Sequence, residues 1–388
     1  MGAYNIVFIG LDVHSGQHRC VVVKDGRIAD IQDVAVPQAG KETIYLSRGF
    51  IDAQVNGYRG VDYSGKSLTV EEIRSLVDWL AESGTLRHVP TLITGGYEQT
   101  RDNLALIRDA LDEDAHLRAA IPGVHLEGPY ISELDGARGA HDAKYVRDPD
   151  IEELKRWQEA AGGLVKMVTV APERAGAVPF IRQAVNMGIR VSLGHCLPTD
   201  EQLRAAVDAG ATMSTHLGNG SPGMLPRLKN HLWAQMAEDR LWAGLIADGF
   251  HLPAPALTSI TRAKGLERVV LISDVGSLGG LAPGQYHWGD IAVEVHPDGH
   301  LGLAGTEYLA GAGHLLDTCL SFFCRATGCT MAQAVTLVTD HPAKALNLDV
   351  PTGPWRVGEP ADIVRFTEGE DRLRVLGTTL GMNNKTFG

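Results

Sequence analysis

At 388 residues the chain can hold one large domain or two ordinary ones, with ample length for a sizeable core. Hydrophobic residues make up 44% and charged residues 21%, which is ordinary for a soluble globular protein. With 35 basic and 47 acidic side chains the net charge is −12, which argues against nucleic acid or an anionic membrane as partner. Five cysteines without a C-x-x-C pair lead us to expect a reduced, cytoplasmic protein. We find no secretory pattern at the N-terminus and no apolar run of membrane-span length.

Taken in order, residues 1 to about 48 read as short β structure. Tyr4 to Ile9 and Arg19 to Val23 are strand-like, and Lys24-Asp25-Gly26-Arg27 is a hairpin turn leading to Ile28. This piece is too small to bury a core by itself. The C-terminal stretch from 351 to 388 has the same texture, so the two ends are expected to form one β-sandwich. From Gly49 to about 350, strands alternate with helices. Phe50–Val55, His88–Thr94, Val124–Glu127, Val165–Val170, Ile189–His195, Ala211–His216, Trp242–Asp248 and Val269–Asp274 are the eight strand-like runs. Thr69-x-x-Glu72 and Thr199-x-x-Gln202 are capping boxes that open helices between them. This pattern predicts a (β/α)8 barrel over 49–350. A doubly wound open sheet competes, but no G-x-G-x-x-G follows the first strand.

Four runs end on groups suited to metal binding or proton transfer: Glu127, His195, His216 and Asp274. In a barrel the carboxyl ends of all strands open onto one face, so these residues can meet. Two imidazoles and a carboxylate suit Zn²⁺ with one position left to water. Such an ion lowers the pKa of that water to about 7, and Asp274 could then move the proton to a leaving amine. Each residue also has a plainer reading taken alone. A histidine at a strand end can be structural, Glu-Gly-Pro can be a turn, and Asp274 can cap a helix.

The segments Gly49 to Gly57, His125 to Ile131, Gly139-Ala140-His141, Gly194-His195, Thr215 to Asn219, Ala247 to His251 and Ser273-Asp274 together resemble the successive motifs of N-acetylglucosamine-6-phosphate deacetylases, in the amidohydrolase superfamily. The resemblance extends to His341-Pro342-Ala343 and to the stretch Gly358 to Asp362, so it spans nearly the whole chain. It implies one divalent metal ion, Zn²⁺ by preference, held by Glu127, His195 and His216, with Asp274 as general acid/base. It implies substrate contacts at Ala140, His141, Asn219, Gly220, Arg227, His251 and Leu303-Ala304-Gly305. It also implies a homodimer or dimer-based oligomer, in which Arg227 can reach the substrate phosphate across the interface.

Four departures bear on that transfer. Gln54 and Asn56 stand where many amidohydrolases have His-x-His, and neutral amides are poor zinc ligands, so one metal is expected rather than two. Asn219-Gly220-Ser221 replaces the usual Asn-Ala-Met. Pro226-Arg227-Leu228-Lys229-Asn230, followed by His231-Leu232-Trp233, replaces the usual Arg-Glu-Pro-Gly surroundings of the phosphate-binding arginine. Because a guanidinium grips phosphate in a fixed fork, that change opens phosphate recognition to question. Ser273-Asp274-Val275 stands in place of Thr-Asp-Ala. The leading expectation is hydrolysis of an N-acetyl amino sugar, by preference N-acetylglucosamine 6-phosphate, to acetate and free amine, with His141 or another donor holding the oxyanion. An unphosphorylated N-acyl sugar, an N-acyl amino acid or a cyclic amide is the second expectation, and a non-catalytic barrel scaffold the third.

Overall fold

The structure, a computed structural model, describes residues 5–35, 42–288, 291–305 and 309–387. Eight parallel strands form its centre: Phe50–Val55, Thr85–Ile93, Val124–Glu127, Val165–Val170, Arg190–Leu193, Met213–Ser214, Trp242–Ile246 and Val269–Ile272. We refer to them as barrel strands one to eight. They hydrogen-bond in chain order, and strands one and eight meet through a parallel bridge between Val55 and Val275 and a bond from Asp274 N to Gln54 O of 3.0 Å. A nearly closed (β/α)8 barrel results, as the alternation of runs predicted.

These strands form because both of their faces are covered. Strand eight is Val-Val-Leu-Ile, and all four residues are buried, as helix-covered parallel sheets require. The helices follow the sequence signals. Val70–Ala81 starts at Thr69, whose hydroxyl accepts from Glu72 N at 3.2 Å while Glu72 accepts from Thr69 N at 2.9 Å. The same reciprocal cap opens Asp200–Asp208 at Thr199 and Gln202. Each capped helix places one apolar stripe on the barrel; Ile73, Leu76 and Leu80 of the first are fully buried.

The two chain ends do meet. Asn383–Thr386, Arg374–Leu380, Asp362–Thr367, Tyr45–Ser47, Ile6–Asp12, His18–Lys24 and Arg27–Asp33 form one seven-stranded sheet in that spatial order. The seam between the ends is antiparallel, with Val364 opposite Ser47. The Lys24–Arg27 hairpin turn is as expected, with Asp25 and Gly26 both at positive φ. Tyr4, the expected start of the first strand, lies outside the described residues. Sheet and barrel are tied by Asp362, which is buried and accepts from Gly49 N at 2.9 Å and from Arg87 Nη1 at 2.7 Å.

One element escaped the sequence reading. After strand eight, Gly284–Trp288, Ile291–Val295 and Leu301–Leu303 form a separate three-stranded antiparallel sheet with its own small core of Val293, Val295, Leu301 and Ala310. Trp288 and Leu301 from this sheet wall the cavity at the barrel mouth.

Candidate functional site

Barrel strands three, five, six and eight each end on a side chain that turns into one cavity. Glu127 closes strand three, and the next residue, Gly128, has φ +90; a Cβ there would collide with Thr94 Oγ1, so only glycine fits the turn. His195, His216 and Asp274 follow their strands with φ values of 47, 30 and 53. Left-handed backbone at a residue with a side chain costs about 1–3 kcal/mol and persists where surrounding structure imposes it. Six residues other than glycine adopt it among the described residues, and these three are half of them. The strain therefore concentrates where the sequence placed the chemistry.

The side-chain atoms converge closely. His216 Nε2 lies 3.1 Å from Glu127 Oε1 and 3.0 Å from His195 Nε2, and His195 Nε2 lies 3.4 Å from Glu127 Oε1. His141 Nε2 comes within 3.1 Å of His195 Nε2, and Glu127, His141 and His195 can offer ligand atoms all within 4.8 Å of one another. His141, expected as a substrate contact, is seated by the fold beside the metal-ligand candidates. The tautomer of His195 suits a cation. His195 Nδ1 donates to Ala137 O at 3.0 Å, which leaves its Nε2 lone pair facing the cluster. Lone pairs from imidazoles and a carboxylate at these separations repel unless a positive charge sits among them. Tetrahedral ligands about 2.0–2.1 Å from zinc stand about 3.3 Å apart, close to the spacing here. The donor set fits a divalent ion.

Gln54 and Asn56 supply N–H groups rather than lone pairs. Gln54 Nε2 donates to Glu127 Oε1 at 2.9 Å and to Asp274 Oδ1 at 2.8 Å, so one amide bridges the two carboxylates. Asn56 Nδ2 donates to the same Asp274 Oδ1 at 2.7 Å. Asp274 is thereby clamped through one oxygen. Burial and the negative charge of Glu127 push its pKa up to about 6, against the opposing charges of His216 and His251. Burial alone would raise Glu127 as well, but with no ion in place the closely set imidazoles of His195 and His216 hold it well below the ordinary carboxylate range. Two neighbouring carboxylates are thus shifted in opposite directions, Glu127 down and Asp274 up.

Asp52, one turn of the pleat below Gln54, is fully buried. Its Oδ1 accepts from Ser273 N at 3.1 Å and Gln54 N at 3.3 Å, while Oδ2 has no partner. Burial pushes its pKa up to about 7 despite those bonds. The folded state therefore holds the proton more tightly than the unfolded chain, and stability is lost as pH rises from about 4 to about 7. Asp52→Asn keeps the accepting oxygen without the charge. In denaturant melts it is expected to gain about 2–3 kcal/mol on the wild type between pH 5 and pH 8, at 1.4 kcal/mol per unit of pKa gap. A gain independent of pH would refute the buried charge as its cause.

The cavity, about 200 Å³, is lined by Glu127, Ala140, His141, His195, His216, Asn219, Gly220, His251 and Asp274, all expected from the sequence. His251 is oriented by Asp248, whose Oδ2 accepts from His251 Nδ1 at 2.7 Å and whose Oδ1 accepts from the backbone of Phe250 and His251 at 2.9 Å. Four expected residues are elsewhere. Arg227 is exposed on the loop that precedes helix His231–Ala237, and Leu303, Ala304 and Gly305 follow Leu301 without lining the cavity. Asn56, Leu301 and Trp288 line the cavity without having been singled out as substrate contacts. A larger cleft of about 840 Å³ lies near Arg59, Asp317 and Arg372; it has mixed charge and none of the strand-end groups.

Residues 45–379 match the amidohydrolase family model. The chain is 36% identical over 380 residues to N-acetylglucosamine-6-phosphate deacetylase of Bos taurus, covering 92% of this chain and 88% of the relative. It is 31% identical to N-acetylgalactosamine-6-phosphate deacetylase of Escherichia coli O157:H7, covering 89% and 90%. This chain belongs to the N-acetylglucosamine-6-phosphate deacetylase family of amidohydrolases. The fold agrees with that of N-acetyl-D-glucosamine-6-phosphate deacetylase from Mycobacterium smegmatis, solved with N-acetyl-D-glucosamine-6-phosphate bound. That match has a TM-score of 0.85 and 28% identity, and it covers 99% of each chain. This amidohydrolase is thus a hydrolase of linear amide bonds in a metal-dependent family, and the Glu127–His141–His195 group is a possible place for the ion.

Proposed function

We propose that the chain hydrolyses the N-acetyl amide of an amino sugar 6-phosphate, with N-acetylglucosamine 6-phosphate as the leading substrate, giving acetate and the free amine. One observation carries this reading: a buried carboxylate, Asp274, clamped through one oxygen by Gln54 and Asn56, shares a small cavity with the three-imidazole and Glu127 cluster. Glu127, His195 and His216, mutually within 3.4 Å, would hold one zinc ion. When bound, such an ion supplies Lewis acidity towards the acetyl carbonyl and a water of lowered pKa.

The chain's own residues do the rest. With Oδ1 occupied by Gln54 and Asn56, Asp274 Oδ2 is free to take a proton from the attacking water and return it to the sugar nitrogen. His141 faces the acetyl oxygen. His251, its Nδ1–H committed to Asp248, presents Nε2 to a sugar hydroxyl. Asn219, Gly220 and Ala140 frame the sugar. The exposed Arg227 is assigned to the phosphate from a neighbouring subunit of a homodimer, and 303–305, just past the lining residue Leu301, to the sugar at the edge of the cavity. Five cysteines kept as thiols support a cytoplasmic setting, and no helix among the described residues is long and apolar enough to cross a membrane. We also propose domain limits at 48 and 350.

The exposure of Arg227 favours a specific second reading, an amidohydrolase for unphosphorylated N-acyl sugars. Comparing kcat/KM for N-acetylglucosamine 6-phosphate and N-acetylglucosamine decides between them. A charged contact of about 1.5–3 kcal/mol predicts a 10- to 100-fold preference for the phosphate. Equal values would transfer the assignment to the unphosphorylated sugar. Chelation should abolish turnover and zinc should restore it; turnover unaffected by a chelator would rule out the metal site.

A further inference from the structure

Two departures from the family pattern, at Gly220-Ser221 and at His231, meet in space. Gly220 has φ +58, and a Cβ on it would lie 2.9 Å from His216 Cε1 and 3.0 Å from His195 Nδ1. The loop backbone therefore rests directly on the two imidazoles assigned to the metal, closer than an alanine could come. The next residue, Ser221, makes a 2.9 Å hydrogen bond with Nε2 of His231, a buried side chain in the first turn of helix His231–Ala237. Ser221 Oγ also reaches Asn219 O at 3.4 Å. If the hydroxyl proton goes to that carbonyl, His231 Nε2–H is the donor to Ser221. The chain of bonds then runs from His231 through Ser221 to Asn219. This tautomer leaves His231 Nδ1, buried without a partner, as a bare lone pair rather than an orphaned N–H.

The same helix fixes the far end of the loop. Asn230 accepts from Leu232 N at 3.1 Å and donates to Pro226 O at 2.7 Å, and Trp233 Nε1 donates to Arg227 O at 3.1 Å. Lys264 Nζ, from helix Ala254–Lys264, donates to Glu238 O at 2.6 Å and steadies the other end of the short helix. Segment 219–227 is thus held at both ends by one anchored helix.

We propose that Ser221 and His231 are a positioning pair that sets the Asn219–Gly220 backbone against the metal-site imidazoles and so determines how tightly the sugar is held. The proposal rests on the deacetylase reading for its substrate. Ser221→Ala and His231→Leu are each expected to raise KM for N-acetylglucosamine 6-phosphate about tenfold, with kcat within about twofold and zinc content unchanged. The double variant should be no worse than the poorer single one, and Ser221→Thr, which keeps the hydroxyl, should retain wild-type KM. Hydrogen–deuterium exchange of the peptide spanning 217–223 reads the brace without substrate, and it should quicken in both single variants. Unchanged exchange in Ser221→Ala and His231→Leu overturns the brace. Faster exchange with unchanged KM, or effects that multiply in the double variant, overturns its role in holding substrate. A wild type inactive on the sugar phosphate but with faster exchange in the variants leaves the brace standing and removes the deacetylase reading instead.

Discussion

Asp274→Asn is expected to lower kcat by about 10³-fold while zinc content stays at the wild-type level. The substituted side chain keeps an oxygen that can accept from Gln54 and Asn56, so the clamp on strand eight survives. What is lost is the capacity to take a proton from water and pass it to nitrogen. The two readouts together, steady-state turnover and metal per chain, separate loss of chemistry from loss of structure. Near-normal turnover in Asp274→Asn would remove it from the mechanism. The wild-type pH profile offers a second check. Asp274 acts as a base only when ionised, and its pKa is pushed up to about 6 without the ion, so kcat should show an acid limb no higher than about pH 6. A bound cation stabilises the carboxylate and moves that limb to lower pH. The limb should vanish from the residual activity of the Asn variant.

His195→Ala and His216→Ala should instead lose the ion, to below about a tenth of an equivalent, because each removes one of three close-set donors. Turnover then falls with metal content rather than ahead of it. His141→Ala gives the contrast. Its imidazole has a short contact with His195 but not with Glu127, and we expect the ion to stay while kcat falls about 10²- to 10³-fold, the usual scale for losing one oxyanion donor. Zinc retained at full stoichiometry in His195→Ala or His216→Ala would contradict the ligand set. Zinc lost in His141→Ala would make that residue a ligand.

Local sequence determined much of this protein. Thr69 and Glu72, or Thr199 and Gln202, start their helices because the cap is a contact between residues three apart. The strand ending at Glu127 was legible because an apolar run buried on both faces stops where Gly128 turns the chain. The three-stranded insert is hidden although Ile291–Val295 has strand-like residues, because it breaks the strand–helix alternation that identifies the barrel. Other features depend on closure of the barrel. Nothing near Gln54 in sequence announces that its amide bridges Glu127 and Asp274, because those partners arrive from strands three and eight. The positive φ of His195, His216 and Asp274 is likewise set by the closed barrel: His and Asp adopt it more readily than most side chains, but nothing in the adjoining sequence calls for it at these three positions. Even the Ser221–His231 pair, visible as two separate oddities, became one device only when the short helix folded back against the loop. The sequence by itself set the residue types and the strand ends. The tertiary structure decided which of them share a proton, a lone pair or an ion, because those interactions act over about 3 Å in space with no regard for separation along the chain.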